Sequence, residues 1–245
     1  MTSIIDQLIT VIFGTISRVA QGVSDLTSSV NDFMYVRVRG LSFVVLGSRQ
    51  TGKTTLLEWL RRNMATIADF APEPTTAGGD LVPDFTSKIE PDEHMKLKAG
   101  RDVGGEYAMW ETDWVELFRQ TQPRGIIFML DHTDIALHKD ALNFVLQMIE
   151  DEPEASRQLK AFYILVNKSD LWKETSTLED ILKYFRNEQK RMRAQAQRIG
   201  YKWVITEGSL LANEGVTDFI RKFFNTIRPR PRKPKSQPAV PMLEG

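Results

Sequence analysis

Phe43-Val-Val-Leu-Gly-Ser-Arg-Gln-Thr-Gly-Lys-Thr54 decides how the rest of the chain is read. Phe43 to Leu46 is a short apolar run of the kind that forms a buried strand, and residues 55–64 follow with Leu56, Leu57 and Leu60 on one helical face. Between them lies Gly47-x4-Gly52-Lys53-Thr54, a glycine-rich turn set where a strand passes into a helix. Its glycines let the loop curl so that consecutive N–H groups face one anion, and the helix N-terminus adds its positive end. Gly47, Arg49, Gln50, Thr51, Gly52, Lys53, Thr54 and Thr55 are the candidate phosphate-binding residues. The Lys53 ammonium is suited to the β- and γ-phosphates and the Thr54 hydroxyl to Mg²⁺.

Outward from this loop the chain alternates apolar runs with helical patterns. Strands are predicted over 95–99, 125–130, 161–166 and 202–206, and helices over 107–121, 135–150, 177–199 and 216–227. Ser176 and Glu179 stand at capping-box spacing before the third of these helices. Alternation of this kind argues for a mostly parallel, doubly wound α/β sheet covered on both faces, with ligands beyond the strand C-termini.

The remaining motifs fall at those strand ends. Arg101-Asp-Val-Gly-Gly-Glu106 places Asp102 to hold Mg²⁺ through water and the Gly105 N–H to meet a γ-phosphate. Asn167-Lys-Ser-Asp170 ends another strand. A carboxylate at Asp170 accepts both N1–H and N2–H of guanine, whereas adenine offers neither, and the Lys168 stem can cover the ring. Glu207-Gly-Ser-Leu210 ends the last, with the backbone N–H groups of Ser209 and Leu210 expected at guanine O6.

These motifs in this order resemble the Ras-like small GTPases, and among them the Arf family and its relatives, including the signal-recognition-particle receptor β subunit. The resemblance runs from about Gly40 to Arg228 and includes Asp102-Val-Gly-Gly105, Trp114, Phe118, Gln122, Gly125-Ile-Ile-Phe128 and Asp131. It implies a P-loop NTPase fold, GTP and GDP as ligands, Mg²⁺ held by Thr54, Thr75 (from Pro74-Thr75) and Asp102, and protein effectors with an activating protein. Glu106 stands where most relatives carry the glutamine that orients the attacking water. A carboxylate accepts a water proton but adds negative charge beside the γ-phosphate and has no amide N–H to donate. Glu106 and Lys53 are the candidate catalytic residues, with slow hydrolysis expected. Arg49 and Arg101 are unusual cations near the site.

The ends differ from this body, and three parts are expected: 1–36, a GTPase domain over 37–228, and 229–245. Ile5, Ile9, Ile12, Ile16, Val19, Val23, Leu26, Val30 and Phe33 recur at 4-3 spacing, the seam of an amphipathic helix that lays one stripe on a partner. Its own core, a second copy and a membrane interface all fit that stripe, although its longest apolar run is far short of the ~20 residues a bilayer span needs. Residues 228–245 hold Arg228, Arg230, Arg232, Lys233 and Lys235 among prolines, which points to a disordered or polyproline-II tail.

The 245 residues balance 32 Lys+Arg against 32 Asp+Glu, which excludes a globally basic nucleic-acid binder. Absence of cysteine excludes disulfides and thiolate metal sites and fits a cytoplasmic setting, with peripheral membrane contact through the N-terminal helix as one reading. His94, His132 and His138 show no metal spacing. Glu150, Asp151, Glu152 and Glu154 read as a solvated helix exit, and Trp59, Trp110, Trp114 and Phe118 as core or an effector face. Two functions follow: a GTP-hydrolysing switch, or a non-hydrolysing GTP-bound adaptor or scaffold whose nucleotide orders an interaction or self-assembly surface.

Overall fold

The computed structural model describes residues 39–75, 77–91 and 93–229. The seam expected over 1–36 and the tail from 230 onward lie outside them. Strand β1 (Leu41–Leu46) leads into helix α1 (Lys53–Arg61), followed by β2 (Asp80–Val82), β3 (Phe85–Glu90), β4 (Glu93–Lys98) and β5 (Gly100–Asp102). Then come α2 (Val115–Thr121), β6 (Gly125–Leu130), α3 (Ile135–Asp151), the single turn α4 (Pro153–Ser156) and β7 (Ala161–Val166). The chain closes with α5 (Ser169–Trp172), α6 (Leu178–Leu182), α7 (Arg186–Ile199), β8 (Lys202–Glu207) and α8 (Val216–Ile227).

Six strands form one sheet in the order β3-β4-β1-β6-β7-β8, parallel throughout except that β3 runs antiparallel to β4. β6 and β7 are interior strands, and each is six residues buried on both faces. Strand alternation sorts their side chains into two cores. Val44, Ile126, Phe128, Phe162 and Ile164 meet α2, α3 and α7 through Leu117, Phe118, Val145, Leu146 and Met192. Phe43, Val45, Ile127, Tyr163 and Leu165 face the other way, onto Leu56, Trp59 and Leu60 of α1 and Phe219, Phe223 and Phe224 of α8. Phe223 joins rings with Phe43, Tyr163 and Phe224 at 5.2–6.3 Å, all edge-on.

Sequence and structure part in four places. The segment 80–102 folds as an edge hairpin (β3, β4) plus a separate antiparallel ribbon of β2 with β5, where only 95–99 was expected to be strand. β3 reads Phe-Thr-Ser-Lys-Ile-Glu and buries alternate residues, a weaker signal than a continuous apolar run. Its outer side is engaged by two side chains: Asn63 accepts the Lys88 N–H at 2.9 Å, and Arg221 donates to the Ile89 carbonyl at 3.1 Å.

The helix predicted over 107–121 is three pieces: a 3₁₀ turn (Tyr107–Met109), a wider π turn (Trp110–Trp114) and α2. The π turn brings Trp110 and Trp114 to one side, stacked at 5.3 Å and buried. The helix predicted over 177–199 is likewise broken, by a 3₁₀ turn (Lys183–Phe185) that turns Phe185 into the core. Its capping box is formed by Thr177 and Asp180 rather than Ser176 and Glu179, because Thr177 is the last residue in extended conformation. Finally, the acidic stretch after α3 is no free loop. Glu150 pairs with Arg191 and Arg198, and Glu152 with Arg119.

Replacing Phe223 with alanine removes the ring that joins α8 to β1 and β7, and is expected to cost about 3–5 kcal/mol. Urea unfolding of the variant, read by its shifted midpoint at constant slope, measures this.

Candidate functional site

Beyond the C-terminal ends of β1, β5, β7 and β8 lies a cavity of about 640 Å³. One wall is the loop between β1 and α1, contributing Arg49, Gln50, Gly52, Lys53, Thr54 and Thr55. Pro74 and Thr75 close a second side with Gly105 and Glu106, and Asn167, Lys168, Asp170, Ser209 and Leu210 form the far end. Of the residues picked from sequence, Gly47, Thr51 and Asp102 stand outside this lining. Thr51 is wholly buried and turns its hydroxyl back to the Ser48 carbonyl at 3.0 Å.

Backbone geometry explains the glycines at two positions. Gly52 precedes α1 with φ +97° and passes so close to Asn167 that a Cβ would stand 2.6 Å from its amide nitrogen. Gly105 lies flat on the phosphate loop, where a Cβ would approach the Arg49 nitrogen to 2.3 Å. It is held there from behind: Trp114 donates its indole N–H to the Gly104 carbonyl at 2.8 Å, and Trp110 to the Gly105 carbonyl at 3.2 Å. The paired tryptophans of the π turn thus serve the site, a role that helical spacing alone did not reveal.

Lys53 donates to the Ser48 carbonyl at 2.9 Å. Burial pulls its pKa down to about 8, against the opposing attraction of Asp102 and Glu106. Burial also raises Asp102 above the usual carboxylate range, although Thr54 hydrogen-bonds it and Lys53 attracts its charge. One Asp102 oxygen, Oδ1, is buried with no hydrogen-bond partner. A carboxylate with a spare buried oxygen beside a threonine hydroxyl suits a hard divalent cation that takes its other ligands from water and phosphate. The site therefore fits Mg²⁺, held by Asp102 and Thr54 with Thr75 on the facing wall, where the ion would neutralise phosphate charge. Among the described residues no cluster of three or more His, Asp and Glu side chains offers an all-protein metal cage.

At the far end Asn167 acts as a brace. Its amide donates to the Thr51 carbonyl at 3.0 Å and its oxygen accepts the Leu210 N–H at 3.2 Å. The Ser209 N–H goes to the Glu214 carbonyl at 2.9 Å. Both N–H groups expected at guanine O6 thus have partners within the protein, and both residues line the cavity. Asp170 is exposed and faces the cavity, while Lys168 reaches Asp131 at 2.6 Å. The two unusual arginines differ. Arg49 lies 3.9 Å from Glu106, both more than half exposed, so their mutual stabilisation is small. Arg101 points away from the cavity and binds the Gly78 carbonyl, Glu116 and Gln120. Gly78 also gives its N–H to Asp113 of the π turn at 2.8 Å, so the segment after Thr75 is tied to the segment after Glu106.

Strand order, glycine-rich loop and site position together define a P-loop nucleotide-binding protein of the Ras-like GTPase fold. Residues 27–227 match the model of the ADP-ribosylation factor (Arf) family, and the chain belongs to that family. Similar solved structures include the signal recognition particle receptor SRb-GTP/SRX complex from Chaetomium thermophilum. It shares 15% identity over 75% of this chain and 96% of that chain, with a TM-score of 0.54. The Arl6 BBS3 small GTPase from Trypanosoma brucei, with bound nucleotide analogue GppNp, shares 18% identity over 76% and 96%, with a TM-score of 0.49. At these identities the likeness is one of fold. Comparison with curated protein sequences finds no match.

Lys53 links the site to pH. In the nucleotide-free protein its ammonium is lost as pH rises through about 8, well below its ordinary value of 10.5. Phosphate charge favours the ammonium, so binding nucleotide between pH 8 and 10 is expected to take up a proton. The sign is fixed: affinity is full below pH 8 and falls by up to about tenfold per pH unit above it. Calorimetric titration at pH 9 in two buffers of different ionisation enthalpy measures the uptake.

Proposed function

We propose that this Arf-family chain is a guanine-nucleotide switch that binds GTP and GDP with Mg²⁺, hydrolyses GTP slowly and engages effectors through residues 74–79 and 104–114. The observation that carries the reading is the cavity with a phosphate loop at one end and Asp170 at the other. Lys53 and the loop N–H groups take the phosphates, Thr54, Thr75 and Asp102 the metal, and Asp170 accepts the two guanine N–H donors. Loss of a γ-phosphate beside Gly105 would be felt by both Trp110 and Trp114, whose indoles hold that backbone. The Asp113–Gly78–Arg101 contacts would carry it to the other switch segment.

Slow hydrolysis rests on Glu106. It accepts a proton from water yet donates nothing to it, and its charge opposes charge developing on the γ-phosphate. Arg49 at 3.9 Å offsets part of that charge. An arginine supplied by an activating protein would supply the rest. The second reading, favoured by the same Glu106, is an adaptor that holds GTP without turning it over, as the GTP-bound receptor subunit named above holds it within a complex. In either case we place the chain in the cytoplasm, with residues 1–36 as its contact to a membrane surface, a partner or a second copy.

Single-turnover hydrolysis separates the two. Glu106→Gln is expected to speed loss of bound GTP by about ten- to a hundredfold. GTP that stays intact for hours in both proteins, with and without candidate activating proteins, sinks the hydrolytic reading. Asp170→Asn is expected to weaken GDP binding roughly a hundredfold or more while xanthosine diphosphate gains. Equal affinity of the parent protein for ADP and GDP refutes guanine selection.

A further inference from the structure

A string of buried polar side chains passes behind the phosphate loop. Ser48 Oγ lies 2.5 Å from His138 Nδ1, His138 Nε2 lies 3.0 Å from Asp131 Oδ1, and Lys168 donates to Asp131 Oδ2 at 2.6 Å. Ser48, His138 and Asp131 are no more than 1% exposed. They come from the loop after β1, the first turn of α3 and the end of β6, and Lys168 follows β7. The order serine–histidine–aspartate is that of a nucleophilic triad, but a hydroxyl so enclosed meets no substrate.

Proton positions follow from the carboxylate. Burial raises the Asp131 pKa, but hydrogen bonds from His138, Lys168 and Thr133 outweigh it and hold the group below the usual carboxylate range. Asp131 is therefore an acceptor only. Nε2 of His138 is therefore the nitrogen that donates to Asp131, and Nδ1 is the one that meets the Ser48 hydroxyl. The Asp131 N–H also approaches Nε2, at 3.3 Å, and this is the poorer contact.

The ends of the string matter most. The Ser48 carbonyl anchors both Lys53 and Thr51, at 2.9 and 3.0 Å, so the orientation of that one residue sets where the phosphate-binding ammonium waits. At the other end Asp131 fixes Lys168, whose stem borders the base side of the cavity. Two apolar side chains in place of Ser48 and His138 would fill the space without burying polar groups. What the polar pair adds is one permitted geometry.

We infer that His138 is a positioning residue that joins the phosphate end of the nucleotide site to its base end. The inference rests on the guanine-nucleotide reading above. The nucleotide is then gripped by two lysines held from one buried string, and either grip loosens when the string is cut.

The full chain loaded with fluorescent GDP tests this by its dissociation rate, with thermal unfolding measured alongside. His138→Leu keeps volume and is expected to release GDP at least about tenfold faster; it leaves the Ser48 hydroxyl buried without its partner, so the unfolding temperature falls by a few degrees and is recovered when Ser48→Ala is added. His138→Gln, which keeps one donor and one acceptor, should restore most of the retention. Ser48→Ala, which removes only a hydroxyl, should speed release several-fold in the parent and add nothing in the His138→Leu background. A folded His138→Leu that releases GDP at the parental rate overturns the inference, as do additive effects of the two substitutions. If His138→Leu does not fold, Ser48→Ala decides: parental release overturns, faster release supports. A parent that binds neither GDP nor GTP overturns the guanine reading itself, whereas binding with silent variants overturns this inference alone.

Discussion

The Asn167 side chain is where three loops of the site are held in register. Its amide nitrogen binds the Thr51 carbonyl in the phosphate loop and its oxygen binds the Leu210 N–H after β8. Asn167 itself follows β7 directly and is buried. Each of these loops is irregular backbone with polar groups that need partners once they leave water. Satisfying two of them with one amide fixes the spacing between the β1–α1 loop and the far end of the cavity. It also explains why Gly52 must lack a side chain, since the amide occupies the place of its Cβ.

How much of this was legible depends on distance along the chain. β6 and β7, and β1 from Phe43 to Leu46, declared themselves because interior strands of a parallel sheet carry near-continuous apolar runs. The loop between β1 and α1 could be picked out as cavity lining because its pattern is packed into eight residues, and 167–170 because it is four residues at the end of such a strand. Of the edge hairpin only β4 was legible, through 95–99, since Thr86 and Lys88 make β3 read as polar. Helical periodicity also hid the breaks at 110–114 and 183–185, because a π or 3₁₀ turn shifts the pattern by only a fraction of a residue per turn.

Least legible was what joins distant residues. Ser48 and His138 are ninety positions apart and neither belongs to a spacing motif. Arg101, flagged as a cation near phosphate, proves to be a brace between Gly78 and α2. The zero net charge of the chain fits such an arrangement. Two lysines of its site are each matched by a nearby acid: Asp102 and Glu106 attract Lys53, and Asp131 binds Lys168.

The blunted outer side of β3 has a consequence for recognition. A peptide seeking to join this sheet beside β3 would have to evict the Asn63 amide from Lys88 and the Arg221 guanidinium from Ile89 before its own backbone could pair. Partners approaching from that side are thereby steered to read side chains, and chance templating of one sheet by another is discouraged.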